Sequence, residues 1–216
     1  MTLHYSTLLF DLDGTLTDPK LGITRSVQYA LAKLGIAEDD LDKLEPFIGP
    51  PLAGSFKDIY AFSDSKSVQA VEYYREYFRE KGMYENEIYA GIRLLLEALV
   101  NQGHVLMVAT SKPTVFAEKI LSYFEIASYF QAVCGSNLDG TRSDKTEIIE
   151  HLIREYKLEK PATVMIGDRK HDIIGAHNAG IASIGVGYGY GSESELAAIK
   201  PTYCVRSVQE LAALLA

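Results

Sequence analysis

Cysteine is scarce in this chain of 216 residues: only Cys134 and Cys204 occur, and they form no Cys-x-x-Cys spacing. That leaves no disulfide framework to read and favours a reduced, cytoplasmic setting. Long apolar runs are missing as well. Leu94 to Val100 is interrupted by Glu97 and falls far short of a membrane span. The N-terminal Met1-Thr-Leu-His-Tyr-Ser has no basic segment followed by an apolar stretch, so no secretory signal is read there. Positive charge is in deficit, with 21 Lys and Arg against 29 Asp and Glu and a formal charge of −8. This argues against binding a nucleic-acid polymer, which would need clustered basic residues. It leaves room for a small phosphorylated molecule, which a local cation and a few Lys or Arg side chains can recruit. There is no internal repeat and no low-complexity segment.

What is present is a globular composition, 47% hydrophobic, long enough for one large domain or a core carrying a smaller insert. Short apolar runs alternate with helical patterns. Strands are expected at Tyr5 to Phe10, Val105 to Ala109, Val133 to Cys134, Thr163 to Ile166 and Ser183 to Val186, with a weaker one at Tyr203 to Val205. Ile148, Ile149, Leu152, Ile153 and Tyr156 share one face of a helix. Ser207-x-x-Glu210 predicts a capping box at the start of the last helix. Alternation from Leu94 onward implies a doubly wound α/β architecture, a parallel sheet with helices on both faces. Pro19 to Asn86 reads differently. It offers helices near 22–35, 38–46, 52–61 and 65–81 and no convincing strand, with Val68, Val71, Tyr74 and Phe78 as the apolar face of the last. The expected organisation is a core of residues 1–17 and 87–216, with 18–86 as an all-helical insert.

Ligands of open parallel sheets gather at the carboxyl ends of strands. The first strand runs into Asp11-Leu-Asp13-Gly14-Thr15. Alone, this is also readable as a turn with exposed acids. Two other strand ends add to it: Val105 to Ala109 leads into Thr110-Ser111-Lys112, and Val164 to Ile166 into Gly167-Asp168-Arg169-Lys170-His171-Asp172. Lys145 opens a helix between them. Two carboxylate clusters, a hydroxyl and a lysine suit an oxyanion substrate and a hard metal ion. Without Asp11, the preference of helix N-termini for acids would be the better account of Asp168 and Asp172, and Lys145 taken singly is also readable as a solvated helix start.

The ordered set resembles the haloacid dehalogenase superfamily of phosphotransferases. Asp11-Leu-Asp-Gly-Thr-Leu-Thr matches the first motif, Thr110 the second, Lys145 the third, and Gly167-Asp168-x-x-x-Asp172 the fourth. The resemblance covers essentially the whole chain and implies a Rossmann-like core with a helical cap inserted after the first motif. It implies that Asp11 is a nucleophile forming an aspartyl phosphate and that Asp13 is the general acid and base. Dehalogenases of the superfamily lack an acid at that position, so Asp13 favours phosphoryl transfer. Mg²⁺ would be held by Asp11, the backbone carbonyl of Asp13, and Asp168. Asp172 would be either a direct ligand or an outer partner, the second being preferred. Lys145 would neutralise Asp11 and the phosphate. Thr110, or alternatively Ser111, would bind a phosphate oxygen, with Gly14, Thr15 and Lys112 also on the substrate side.

Substrate choice is expected in the cap, where Phe47-Ile-Gly49-Pro50-Pro51-Leu52 is either a specificity loop or a stiff connection. Gly49-Pro50-Pro51, Thr110-Ser-Lys-Pro113 and Gly189-Tyr-Gly-Ser192 are similar to the phosphoglycolate phosphatase branch. Leu12-Asp-Gly-Thr-Leu-Thr-Asp-Pro19, Asp139-Gly-Thr-Arg-Ser-Asp-Lys145 and Gly167-Asp-Arg-Lys-His-Asp-Ile-Ile-Gly-Ala176 resemble a 5′-nucleotidase-like branch more closely. Nucleoside 5′-monophosphates therefore rank first and phosphoglycolate second, acted on by a monomer or a homodimer. A sugar phosphomutase, or a binding protein on the same scaffold, are the rival readings. Gly185-Val-Gly-Tyr-Gly-Tyr-Gly191 lacks nucleotide-loop spacing and is read as a turn at the active-site rim. His4, His104, His151, His171 and His177 form no metal pattern, and Tyr73, Tyr74 and Tyr77 are read as packing within the insert.

Overall fold

In a computed structural model, which describes residues 5–215, six apolar runs line up as one parallel sheet. The strands are β1 (Thr7–Phe10), β4 (Val105–Pro113), β5 (Ala132–Ser136), β6 (Thr163–Gly167), β7 (Ala182–Val186) and β8 (Tyr203–Val205), in the order β5-β4-β1-β6-β7-β8. Two short strands, β2 (Thr17–Asp18) and β3 (Glu87–Ile88), mark where the chain leaves and returns. The chain divides into two compact units. One holds the residues up to Asp18 and those from Ile88 onward; the other is Pro19–Glu87.

The order reverses direction after β5, which sets the helices on two faces. The connections β4-α5-β5 and β5-α6-β6 run in opposite directions across the sheet, and right-handed crossovers then put α5 (Thr114–Tyr123) and α6 (Lys145–Tyr156) on opposite sides. Alternate strand residues divide between the faces. Leu9, Met107, Ala109, Cys134 and Met165 pack with Ile148, Ile149 and Leu152 of α6 and with Ala176 and Ala179 of α7 (Lys170–Ala179). Their neighbours Leu8, Phe10, Leu106, Val108, Val164 and Ile166 are equally buried. A central sheet apolar on both sides explains why these strands read as continuous hydrophobic runs rather than alternating ones. The remaining helices of this unit are α4 (Ile92–Asn101), α8 (Glu193–Ile199) and α9 (Val208–Leu215).

The second unit is all helical: α1 (Lys20–Lys33), a 3₁₀ helix at Leu41–Phe47, α2 (Leu52–Tyr60), α3 (Asp64–Tyr77) and a π turn at Phe78–Gly82. The rings of Phe47, Phe56, Tyr60 and Phe62 form its aromatic centre. At Gly22 a Cβ would stand 1.9 Å from the Gly82 carbonyl oxygen, so α1 meets the π turn through a position only glycine fits. Gly49, at φ +102°, makes the turn that precedes Pro50 and Pro51.

Several local expectations change. The segment near 38–46 is a 3₁₀ helix, started by Asp40 accepting the Asp42 N–H and containing Pro46, whose missing N–H prevents a regular α-helix. The helix expected over 65–81 ends at Tyr77 in a π turn. Its buried face is Ser67, Ala70 and Tyr74, continuing to Phe78, while Val68 is 57% exposed. Tyr156 is likewise at the surface, so the α6 stripe ends before it. The last helix has a displaced capping box: Ser207 Oγ accepts the Glu210 N–H, but the Glu210 carboxylate accepts the N–H of Arg206 rather than Ser207. The first strand starts at Thr7 rather than Tyr5, and His4 lies outside the described residues. Both cysteines are free, Cys134 buried and Cys204 exposed. Among the described residues no helix is long and apolar enough to cross a membrane.

Truncating the core from α6 tests this arrangement. Leu152→Ala is expected to lower unfolding free energy by about 2–5 kcal/mol, whereas Tyr156→Ala on the same helix stays within about 0.5 kcal/mol. Urea denaturation of the two variants distinguishes them.

Candidate active site

Register brings three strand ends together. Phe10 pairs with Val108 of β4 on one side and with Ile166 of β6 on the other, and the Asp11 N–H continues the ladder to the Ile166 carbonyl at 2.9 Å. The residues next in line are therefore Asp11, then Ala109 and Thr110, then Gly167 and Asp168. Past Ala109 the β4–β5 pairing slips before resuming at Pro113, so Thr110, Ser111 and Lys112 leave the regular ladder at the site itself. After β1 the chain folds back tightly: the N–H groups of Leu16 and Thr17 both donate to the Leu12 carbonyl, and Gly14 takes φ +82°.

Lys145 is the hub. Its ammonium lies 2.9 Å from Asp11 Oδ1, 2.8 Å from Asp172 Oδ1 and 2.8 Å from the Ala109 carbonyl oxygen, and its side chain is 3% exposed. Three N–H donors meet three acceptors. Burial alone pulls the ammonium down, but Asp11 and Asp172 outweigh it and the net shift is upward. A Cβ on Gly175 of α7 would stand 2.9 Å from Lys145 Cβ and Cγ, so that glycine gives the lysine stem its path. Asp11 Oδ1 also accepts the Leu12 N–H at 2.8 Å, which fixes one oxygen of the carboxylate and leaves Oδ2 outside both contacts.

Asp13 is buried in a different environment. Its Oδ2 pairs with Lys112 Nζ at 2.6 Å, and its buried Oδ1 has no hydrogen-bond partner. Burial raises its carboxyl above the ordinary range; Lys112 acts in the opposite direction without cancelling the effect. Thr110 is buried at the end of the regular part of β4, and its Oγ1 accepts the Lys112 N–H at 3.2 Å. Ser111 offers its carbonyl to Ser136 Oγ.

Asp11, Asp168 and Asp172 form a buried cluster whose carboxylate oxygens lie within 4.8 Å of one another. Asp168 Oδ2 accepts the Tyr190 N–H at 2.7 Å, and Thr15 Oγ1 is 3.4 Å from Oδ1. Both oxygens of Asp172 are engaged, Oδ1 with Lys145 and Oδ2 with the Arg169 N–H at 3.0 Å. Burial, then Asp172, then Asp11 push the Asp168 carboxyl well above its usual range. Burial pushes Asp172 up to about 6, against the pull of Lys145. Three crowded carboxylates with one lysine among them make an oxygen-donor set that fits a hard divalent cation such as Mg²⁺. Gly14 belongs to the same packing, since a Cβ there would fall 2.3 Å from Asp168 Oδ2.

Asp11, Asp13, Thr110, Lys112, Lys145, Asp168 and Asp172 thus share one edge of the sheet, with Gly14 and Thr15 against Asp168. Gly49 and Pro50 belong to the helical unit. Motif reading gives no role to Gly175, Tyr190 or Glu195; the segment around Tyr190 is read only as a turn at the active-site rim.

Clustered acids and lysines of this kind, at the carboxyl edge of a doubly wound sheet, suit a hydrolase that works on an anionic ester. The chain belongs to the haloacid dehalogenase-like hydrolases, whose family description it matches over residues 8–186, and it is a phosphatase of that family. It is 56% identical over 213 residues to a 5′-nucleotidase of Pseudomonas aeruginosa, across 98% of this chain and 95% of that protein. A phosphoglycolate phosphatase of Vibrio vulnificus is 29% identical over 212 residues, across 94% of this chain and 93% of that one. A solved structure from Clostridium acetobutylicum, described as a predicted phosphatase, superposes with a TM-score of 0.95 at 47% identity, over 98% of each chain.

Because the folded-state value of Asp172 lies above its ordinary 3.8, the folded chain keeps a proton that the unfolded chain releases between roughly pH 4 and 6. Metal-free stability from this group therefore falls as pH rises through that window. Cation binding needs the ionised carboxylates. The gain in Tm on adding excess MgCl₂ is expected to be larger at about pH 7.5 than at about pH 5; equal gains at both would count against this cluster as the cation site.

Proposed function

We propose that the chain is a Mg²⁺-dependent phosphomonoesterase that acts through a phospho-aspartate on Asp11 and prefers nucleoside 5′-monophosphates. The observation that carries the reading is the contrast between two neighbouring carboxylates. Asp11 is held against Lys145, whereas Asp13 is buried with one oxygen unpartnered and a carboxyl pushed upward.

Asp11 Oδ2 attacks phosphorus as the bond to the ester oxygen breaks, and Asp13 gives its proton to that leaving oxygen. Asp13, now ionised, takes a proton from the water that cleaves the acyl phosphate, which returns both side chains to their starting forms. Thr110 and the N–H groups near it, with Lys112 and Ser111, face the phosphate oxygens. Asp11, the Asp13 carbonyl and Asp168 would hold Mg²⁺, with Asp172 as an outer partner because both its oxygens are already used. The ion would neutralise phosphate charge that otherwise repels the nucleophile. Gly49 and Pro50 are assigned to substrate selection in the helical unit, acting as a cap.

The preference for nucleotides rests on the 56% identity to a 5′-nucleotidase, against 29% to a phosphoglycolate phosphatase. A reduced cytoplasmic setting belongs to the same proposal, supported by two free cysteines.

Asp11→Asn is expected to abolish phosphate release. Asp13→Asn lowers kcat/KM on an alkyl phosphate by about 10²–10⁴-fold but affects p-nitrophenyl phosphate far less, since that leaving group departs without a proton. An equal loss on both esters would remove Asp13 from the acid role. Comparing kcat/KM across nucleoside 5′-monophosphates, phosphoglycolate and sugar phosphates tests the substrate; phosphoglycolate ahead of every nucleotide would reverse the ranking.

A further inference from the structure

The segment after β7 was set aside above as a turn, yet it closes tightly around the Asp168 side chain. Tyr190 donates its backbone N–H to Asp168 Oδ2 at 2.7 Å. Gly189 lies so close that a Cβ there would stand 2.2 Å from the Gly14 carbonyl oxygen and 2.5 Å from both Asp168 Cβ and Oδ2. At Gly191 a Cβ would fall 1.9 Å from the Asp168 carbonyl oxygen. The same segment reaches the residues beyond Asp168: Glu195, in the first turn of α8, accepts the Arg169 Nε–H at 3.0 Å and the Lys170 N–H at 2.8 Å. Arg169 in turn donates its N–H to Asp172 Oδ2. Two phenol groups tie the segment to the first turn of the core, Tyr188 to the Thr15 carbonyl at 3.1 Å and Tyr190 to Asp18.

We propose that Gly189-Tyr190-Gly191, braced by Glu195, positions the Asp168 carboxylate for a divalent cation and so sets the cation affinity of this chain. The inference rests on the cation-dependent reading of the site and adds to it the part of the chain that tunes the affinity. The Tyr190 N–H occupies one lone pair of Oδ2 and fixes the plane of the carboxylate, so Asp168 is oriented before the cation arrives. A ligand already held in place loses little conformational freedom on binding, and partners of this kind commonly change metal affinity by about 10–100-fold. The donor is a backbone group, so tyrosine is not required for it. What is required is a backbone that approaches within contact distance, which demands glycine on both sides. These are positioning residues; none of them touches the substrate in this scheme.

The neighbouring Gly187 supplies a control. It sits in the same segment, but a Cβ there would come no nearer than 3.5 Å to any atom. Calorimetric titration of MgCl₂ into chelator-treated full-length protein measures the dissociation constant without turnover. Gly189→Ala is expected to weaken binding by about 10–100-fold, and Gly187→Ala to leave it unchanged, with both variants retaining the wild-type circular dichroism spectrum. Raising MgCl₂ then restores part of the Gly189→Ala activity, because the chemistry of Asp11 and Asp13 is intact. Wild-type affinity in a folded Gly189→Ala protein overturns the proposal, as does equal weakening in both variants. If Gly189→Ala does not fold, Glu195→Gln replaces it; a few-fold weaker dissociation constant supports the proposal and an unchanged one overturns it. A wild-type protein that takes up no Mg²⁺ would instead defeat the cation-dependent reading itself, a result distinct from any of these.

Discussion

Everything at the sheet edge depends on one buried cation, the ammonium of Lys145. Asp11, Asp168 and Asp172 are almost wholly withdrawn from water. Buried carboxylates of the same sign resist ionisation both through lost hydration and through mutual repulsion. Lys145 contacts two of the three and donates to the Ala109 carbonyl oxygen, so it both sets positive charge against them and fixes the direction of the Asp11 side chain. Removing one member of a buried ion pair costs about 3–5 kcal/mol because the other is left uncompensated. With all three carboxylates ionised, one positive charge leaves an excess of two negative charges that a divalent cation would cancel. The repulsion within the cluster is what makes it a fitting oxygen-donor set for such an ion.

Such crowding needs backbone that can come close. Gly14 admits Asp168, and Gly175 admits the lysine stem. At Gly167 a Cβ would stand 2.2 Å from the Asp172 carboxyl carbon, so this glycine admits the second acid of the fourth motif. Each would carry an impossible Cβ if replaced by alanine without rearrangement. The glycines around the site are therefore part of its electrostatics, because they set the distances over which the charges act.

The fold and the gathering of charged side chains at one sheet edge were legible for a physical reason. A strand buried on both faces is an unbroken apolar run, and in this chain β1 ends abruptly at Asp11. The ordered recurrence of that pattern at β6, with Lys145 opening α6, carried the resemblance. Within the helical insert the reading was coarser. Val68 fits the helical period on paper, yet α3 turns its Ser67, Ala70 and Tyr74 face inward, and period alone does not choose between adjacent stripes. The displaced capping bond of Glu210 and the 3₁₀ turn around Pro46 are set by local geometry that residue spacing describes only to within a position. The link from Tyr190 to Asp168 was not legible for another reason: it runs through a backbone N–H, and a main-chain donor leaves no mark on residue identity.

Asp11 and Asp13 stand two residues apart at one strand end, and their surroundings differ because each points elsewhere. Asp11 faces Lys145, which already shares its charge with Asp172 and a carbonyl, and it accepts a backbone N–H besides. Asp13 faces Lys112 through one oxygen and buried space through the other. Lys112 is the reason Asp13 is not driven higher still, since its attraction favours the ionised form while burial favours the protonated one. In the proposed mechanism Asp13 gives up a proton and later recovers one, and these two opposing influences bear on both events. The same lysine donates its backbone N–H to the Thr110 hydroxyl, so one short segment both holds Thr110 and pairs with Asp13. Two like carboxylates thereby sit in unlike electrostatic surroundings, the contrast on which the proposed acid role of Asp13 rests.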